Sequence, residues 1–460
     1  MRVAAWIAIT PVSSQRAVIS RAKLWVRTCS TKVIFTGYAY GGLSELLENE
    51  YFSCSMGPTI AGEIGVFGYR PSVLMDILAG KRAEVGTEVG AYMRTFSGGC
   101  SPSDMETALQ LVYQLFTTNL TPDEEIVKIV MQMAEEAVCA QDRDPYTAFE
   151  NRVNELNYGN SYFFRPITKS DLQKVDPLKA CEYFIKCFKD PSTFTVVIVG
   201  NIDPTIALPL ILQYLGGIPK PHEPIMHLNR DELKGLPFTF PKTIFREVVR
   251  SPMVEEQCLV QLCFPVELKN GTMVEEIHFV GFLSKLLETK IMQVLRFKHG
   301  QVDLTLDEML RLQEEGPTDH DVSTILEIEQ RAHENGLQEN YYWLDMILDS
   351  YQSRAYSGDV GISFEIQDKG RSKVRSSLNP STAQLALQRI LPFPCTKQYT
   401  VVILMPKSSP FKLLKSVFQL MRISHGRDAK ILAGIAGLVV LALSLWRHSR
   451  SANLHSRDMS

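Results

Sequence analysis

The chain has 460 residues, 45% of them apolar and 22% charged, with 28 glycines and 24 prolines. At about 150 residues per domain that length excludes a single small module, and the composition excludes a disordered or collagen-like chain. Lys plus Arg is 48 against 51 for Asp plus Glu, so no net positive field draws nucleic acid, and neither DNA nor RNA is expected as a partner.

Residues 1–45 read as a targeting or unstructured segment. They carry Arg2, Arg16, Arg21, Lys23, Arg27 and Lys32, with no acid before Glu45, the balance of a transit peptide for a mitochondrion or plastid. Residues 46–215 form a first domain. Its glycine-dense stretch from Gly57 to Gly68 reads as turns between short strands; strands follow around Thr87 to Phe96, and helices are expected from Ser103 to Thr118 and from Pro122 to Ala140. Asp176-Pro177 suits a helix Ncap and first helical position, Phe194 to Val199 is an apolar strand, and Pro204 to Leu215 is a further helix. Residues 216–243 hold Pro219, Pro221, Pro224, Pro237 and Pro241 with Gly216, Gly217 and Gly235, too many chain breakers for a helix or central strand, and read as a linker.

Residues 244–421 repeat the order. A helix from Thr272 to Lys298 precedes one that opens at Pro317 and runs to about Gly336. Asn379-Pro380 opens another, Tyr399 to Leu404 is an apolar strand, and a helix spans Pro410 to Met421. The two apolar strands lie about 205 residues apart, which makes the chain a tandem duplication. The second copy is shortened near residue 301 by about 20 residues, so its sheet is expected to leave an edge unpaired. The expected fold class is α+β: two tandem two-layer α/β sandwich domains, the second incomplete, plus a C-terminal transmembrane helix. That helix is placed at 429–447, where Ile431, Leu438 and Trp446 mark an uncharged run between Lys430 and Arg447; 448–460 is a polar tail. The run rises roughly 24 Å as a helix, short of a ~30 Å hydrocarbon core. Snorkelling cations would close the gap, and a buried core helix is the other reading.

The nine cysteines are odd in number and lack C-x-x-C spacing, the pattern of reduced thiols. None of the nine histidines falls in H-E-x-x-H or H-x-x-E-H. His222 and His227 flank Glu223, but Pro224 breaks the helical face such a pair needs. His320 and His333 are expected exposed on a polar helix. No nucleophile elbow, Walker loop or dinucleotide fingerprint occurs. Leu295-Arg296-Phe297-Lys298-His299-Gly300 has a different character, with cations closing a long helix. They either complement the helix C-terminus or let Arg296 donate to a bound peptide carbonyl.

Duplicated domains of about 200 residues, the first ending in a helix, the strand Thr195-Val196-Val197-Ile198-Val199 and Gly200-Asn201-Ile202-Asp203, resemble the pitrilysin/insulinase family of zinc peptidases, and most closely its PqqL-like branch. Leu78-Ala79-Gly80-Lys81, Phe96-Ser97-Gly98 and the helix from Asp104 to Phe116 fit the same pattern. The resemblance implies a four-domain enzyme in two halves around a chamber, with zinc held by H-x-x-E-H in the catalytic half. This chain resembles the other, C-terminal half. The counterpart of the zinc helix, aligned with Pro71 to Leu78, has no imidazole, so no catalytic residue and no bound cofactor are expected. Arg296 matches the substrate-binding arginine of that half, whereas its usual tyrosine has no match after Gly300.

The expected function is therefore a non-catalytic half that contributes to a substrate chamber and to peptide binding. It is expected to be inactive alone and to partner a zinc-bearing N-terminal half, a peptide or unfolded polypeptide, and a membrane through its last helix. A membrane-tethered scaffold subunit and a non-functional shortened product are the alternatives.

Overall fold

The structure, a computed structural model, describes residues 5–9, 22–24, 32–141, 143–159, 161–253, 258–265, 274–297, 302–352, 360–391 and 398–407. It divides into two units: Met1–Glu247 with Val260–Ile403, and Val248–Leu259 with Leu404–Ser460. In the smaller unit, Lys407 N donates to the Ser251 carbonyl at 2.7 Å.

In chain order, β1 (Ala5–Ile9), β2 (Ala22–Leu24) and β3 (Val33–Tyr40) are followed by α1 (Glu48–Ser55), α2 (Gly57–Ile64) and α3 (Pro71–Ile77). The hairpin of β4 (Ala83–Val89) and β5 (Met93–Cys100) leads into α4 (Met105–Thr117), α5 (Glu124–Gln141), α6 (Pro145–Tyr158), α7 (Lys169–Leu172) and α8 (Pro177–Phe188). Then come β6 (Thr195–Gly200), α9 (Pro204–Tyr214), β7 (Phe245–Ser251) and β8 (Leu259–Cys263). A helical run of α10 (Val274–Phe297), α11 (Val302–Glu314), α12 (Asp319–Gly336), α13 (Asn340–Gln352), α14 (Val360–Ser377) and α15 (Pro380–Ile390) ends at β9 (Thr400–Pro406).

Local chemistry sets the helix starts. The Asp176 carboxylate accepts from the amides of Leu178 and Lys179 at 3.0 and 3.3 Å, with Pro177 in the first turn. Asn379 and Thr382 form a reciprocal capping box. The first sheet runs β2-β1-β6-β3-β5-β4, and the second β7-β9-β8. In both, the last apolar strand of the copy lies between two earlier ones, β6 between β1 and β3 and β9 between β7 and β8. Among the described residues, no hairpin like β4–β5 follows α10.

Strand β6 is buried along its whole length, which an apolar strand permits only if both sheet faces are covered. On one face Phe35, Val196 and Ile198 join the core built on α4 and α8. On the other, Ile34, Val197 and Val199 meet Leu344 and Ile347 of α13, so a helix of the second copy covers the sheet of the first. A two-layer sandwich was expected there; the apolar face of α13 supplies a third layer.

Two further expectations are corrected. Gly57 to Gly68 holds helix α2, not turns between strands, because its glycines serve close packing and a stop. A Cβ on Gly57 would stand 2.8 Å from the Ala180 carbonyl oxygen of α8, and Gly65, at φ 118°, ends the helix in the left-handed region. The transmembrane helix is not supported either. Among the described residues no helix is long and apolar enough to cross a membrane. The longest, α10, has 24 residues and carries Glu275, Glu276, Lys285, Glu288, Lys290 and Arg296. The run with Ile431, Leu438 and Trp446 lies outside the described residues.

Candidate functional site

The Pro/Gly-rich segment after α9 is fastened to the first domain. Arg94, 1% exposed on β5, donates through Nη1 to the Tyr40 carbonyl at 2.6 Å, and through Nη2 to Thr193 Oγ1 and to the Met226 carbonyl, each at 3.0 Å. The Asp190 carboxylate accepts from the amide of Ile225 at 3.0 Å. Further along, the Lys234 amide donates to Glu45 Oε1 at 3.0 Å and its ammonium to the Glu45 carbonyl at 3.1 Å. Arg230 Nη1 donates to the carbonyl of Gln352, the last residue of α13, at 2.6 Å.

Fixed in this way, the segment forms one wall of a cleft of about 640 Å³. Tyr40 at the end of β3, with Tyr92 and Met93 at the β4–β5 turn, form a second wall; Val274, Ile277 and His278 of α10, Asp349 and Gln352 of α13, and Gln367 of α14 complete it. Burial raises the Tyr40 hydroxyl above its ordinary value, with Arg230 opposing the shift. Burial, then the neighbouring Asp345, raises the Asp349 carboxyl. Burial lowers the His278 imidazole, which donates to the Gln367 backbone carbonyl. Most of the lining residues carry hydrogen-bonding side chains, with Met93, Leu233, Val274 and Ile277 supplying the apolar part, so the cleft can hydrogen-bond a ligand along its walls. Its lining residues include no serine, threonine or cysteine. Elsewhere burial pushes the thiols of Cys54, Cys100 and Cys187 up to about 11, 12 and 12, the reverse of thiol activation.

Beside the cleft, His278 and His333 lie near Glu329 and Arg371. Two imidazoles and a carboxylate are a zinc-like donor set by type, but these donors are committed. Glu329 accepts from Arg371 Nε at 2.7 Å, from Arg371 Nη2 at 2.9 Å and from Arg375 Nη1 at 2.6 Å. His333 Nδ1 lies 3.3 Å from the Tyr342 hydroxyl. His333, expected exposed, is half-buried, because it packs edge-to-face on Tyr342 with ring centroids 5.8 Å apart. His222, His227 and His320 are exposed. Among the described residues no group of three or more His, Cys, Asp or Glu is placed to hold a metal ion. Helix α3, which contains the aligned stretch from Pro71, has no buried residue.

Arg296 falls in the last turn of α10, about 27 Å along the helix from His278 at 1.5 Å per residue, and its side chain lies outside the described residues. The structure therefore does not bring it to the cleft. The charged stretch Arg230 to Lys234 lay inside a segment read only as a linker, so it was missed, although charges clustered between chain breakers could have marked it. His278 and Asp349 carried no such signal, since each occupies an ordinary amphipathic helix.

Residues 178–303 match the peptidase M16 inactive domain. The chain is 62% identical over 461 aligned positions to the zinc protease PQQL-like of Arabidopsis thaliana, covering 91% of this chain and 46% of that relative. It thus spans about half the length of the curated relative it matches. By structure it resembles the periplasmic protease PqqL from Escherichia coli, with TM-score 0.62 and 15% identity over 87% of this chain and 47% of that one. It also resembles a mutant of the ferredoxin protease FusC in complex with Arabidopsis ferredoxin, with TM-score 0.60 and 14% identity over 87% of this chain and 46% of that one. Those two likenesses show the fold. The donors described above do not fit a zinc ion. The chain belongs to the peptidase M16 family, the pitrilysin/insulinase peptidases, in its PqqL-like branch, as a non-catalytic C-terminal half.

Proposed function

We propose that this half lines the substrate chamber of a zinc peptidase and binds the polypeptide, while a separate zinc-bearing half with H-x-x-E-H cleaves it. The observation that carries the reading is the cleft, whose walls come from both copies of the duplication and whose lining is rich in groups that can hydrogen-bond a polypeptide. FusC, which shares the fold, was captured with a protein substrate class in its name, a ferredoxin, which supports a polypeptide as the ligand here. Arg296, at the far end of α10, is proposed as a second grip on the chain, matched to the arginine of the family pattern.

The test combines this protein with an M16 catalytic half carrying H-x-x-E-H. Co-elution of the two and peptide cleavage that needs both, and stops with a chelator, are expected. The chain alone, with its folded fraction verified, is expected to cleave nothing. Zinc-dependent cleavage by the chain alone, or failure of any catalytic half to associate, would overturn the reading. Arg296→Ala should raise the peptide Kd about tenfold, the loss of one charge-assisted bond, with an unchanged denaturation midpoint.

A further inference from the structure

We propose that Arg230 is a specificity-determining residue of the cleft, exchanging the Gln352 carbonyl for a carboxylate of the bound polypeptide, so that the cleft prefers acidic segments. This rests on the reading of the cleft as a polypeptide site and adds the chemistry that the site selects.

The Pro/Gly segment holds the backbone of Arg230 in place. Ile225 and Met226 are fastened to Asp190 and Arg94, and Lys234 to Glu45. Met226 is a non-glycine residue at φ 52°, a left-handed conformation that persists only where the surroundings enforce it. Between these anchors the Asn229 amide donates to Glu232 Oε2 at 2.7 Å and the Glu232 amide to the Asn229 carbonyl at 3.0 Å, so Arg230 lies inside a closed turn. Presenting its guanidinium to a ligand moves the side chain and not the wall, which keeps the ordering cost of binding small.

The charges of the lining decide what it takes. Arg230, Lys234 and Asp349 carry them at neutral pH. Lys234 Nζ already stands 3.6 Å from Glu45 Oε2. Arg230 has no carboxylate partner among the described residues; its bond goes to the Gln352 carbonyl at 2.6 Å, a neutral acceptor. A carboxylate would meet the planar guanidinium with two parallel bonds, which a carbonyl oxygen cannot. Releasing Gln352 does not orphan it, because its carbonyl also accepts from the Tyr40 hydroxyl at 3.4 Å, and an acceptor left with a donor avoids the full penalty of an unmade bond. Asp349 lies one turn back along α13 from Gln352, and its like charge limits the preference for an acidic ligand. Both a Glu or Asp side chain and a free chain end carry the carboxylate that Arg230 would take.

The experiment uses the full chain and labelled peptides of one length, alike but for a central Glu, Gln or Lys and amidated at the C-terminus, with a fourth that has the central Gln and a free C-terminal carboxylate. By fluorescence anisotropy, binding about tenfold tighter than that of the amidated Gln peptide is expected for the Glu peptide, the free-carboxylate peptide or both, with the Lys peptide weakest. Which of the two gains tells whether a side chain or a chain end is seated. Arg230→Gln should remove the advantage, and Arg230→Glu should reverse the order of the Glu and Lys peptides. Tyr40→Phe should shrink the advantage, since Gln352 then loses its remaining donor when Arg230 leaves. Asp349→Asn should enlarge it. The readout is a ratio of two Kd values on one protein, so a variant that is partly unfolded lowers the active fraction without moving the ratio. Equal affinity for all four peptides, a preference for lysine, or an advantage that survives Arg230→Gln would overturn the proposal and leave the cleft a polypeptide site; saturable binding of none of them would overturn both.

Discussion

The buried guanidinium of Arg94 donates to the carbonyl of Met226 at 3.0 Å across 132 residues of chain, and this bond makes one wall of the cleft out of a segment whose composition suggests a loose linker. The same side chain holds Tyr40 and Thr193. Arg94→Met leaves three acceptors without their donor in a nearly dry site, at a cost of about 3 kcal/mol. A lower denaturant midpoint is expected, together with faster protease cutting between Gly216 and Pro241. Arg94→Lys should recover little, because a single ammonium cannot reproduce the planar fork.

Gly37 of β3 sits opposite Phe96 of β5, and a Cβ there would overlap the Phe96 ring. That ring is 1% exposed and packs against Phe116 and Phe194, with centroids 5.8 and 5.7 Å away, so it has nowhere to withdraw. Gly37→Ala should destabilise by about 1–3 kcal/mol, the cost of overpacking a filled core. Adding Phe96→Leu to the variant should restore part of it; thermal unfolding of the single and double variants measures the coupling.

What could be read from the sequence divides along the range of the interactions. The helix starts at Asp176 and Asn379 were legible because a cap acts over three residues. The counterpart strands β6 and β9, one in each sheet, were legible because their apolar runs recur in both copies. Gly57 was misread, since a glycine allowing close helix approach and one allowing a turn look alike until the partner, Ala180, is known. The placement of α13 on the first sheet was not legible, because Leu344 and Ile347 would suit the core of either copy. The cleft shared that difficulty: its walls come from segments far apart in sequence, and the Arg230 to Lys234 stretch was hidden in a segment read as a linker.

Acid should loosen the helices beside the cleft. His278 on α10 faces the Gln367 carbonyl and Arg371 of α14 and Glu329 and His333 of α12; His333 is also near Asp368 and Glu334. Burial foremost, and Arg371 with it, places both imidazoles below their ordinary 6.5 in the folded chain. The unfolded chain then takes up protons first, so this contribution to stability is complete above pH 6.5 and is lost as pH falls toward the folded values. His278→Gln with His333→Gln should flatten that part of the stability profile. Urea midpoints measured above and below pH 6.5 in both proteins check it, and an unchanged slope would count against the assignment.

A second acid-sensitive point lies at Asp171, whose side chain is 3% exposed. Its carboxylate accepts from Arg165 Nη1 at 2.6 Å and Nη2 at 3.0 Å, and from the Thr168 amide and hydroxyl at 3.0 and 2.6 Å. Arg165 in turn lies over the Phe52 ring, 4.7 Å from its centroid, so the pair ties the start of α7 to α1. Asp171→Asn keeps the shape but removes the charge that Arg165 requires, and a loss of about 3 kcal/mol is expected. The bidentate guanidinium holds the Asp171 carboxyl well below the usual carboxylate range. Its contribution is therefore fully present above the unfolded value of 3.8 and disappears as pH falls through the folded one. The stability gap between the parent and Asp171→Asn should accordingly be constant near neutrality and narrow only below pH 3.8; a gap independent of pH would mean that packing, not the ion pair, accounts for the loss.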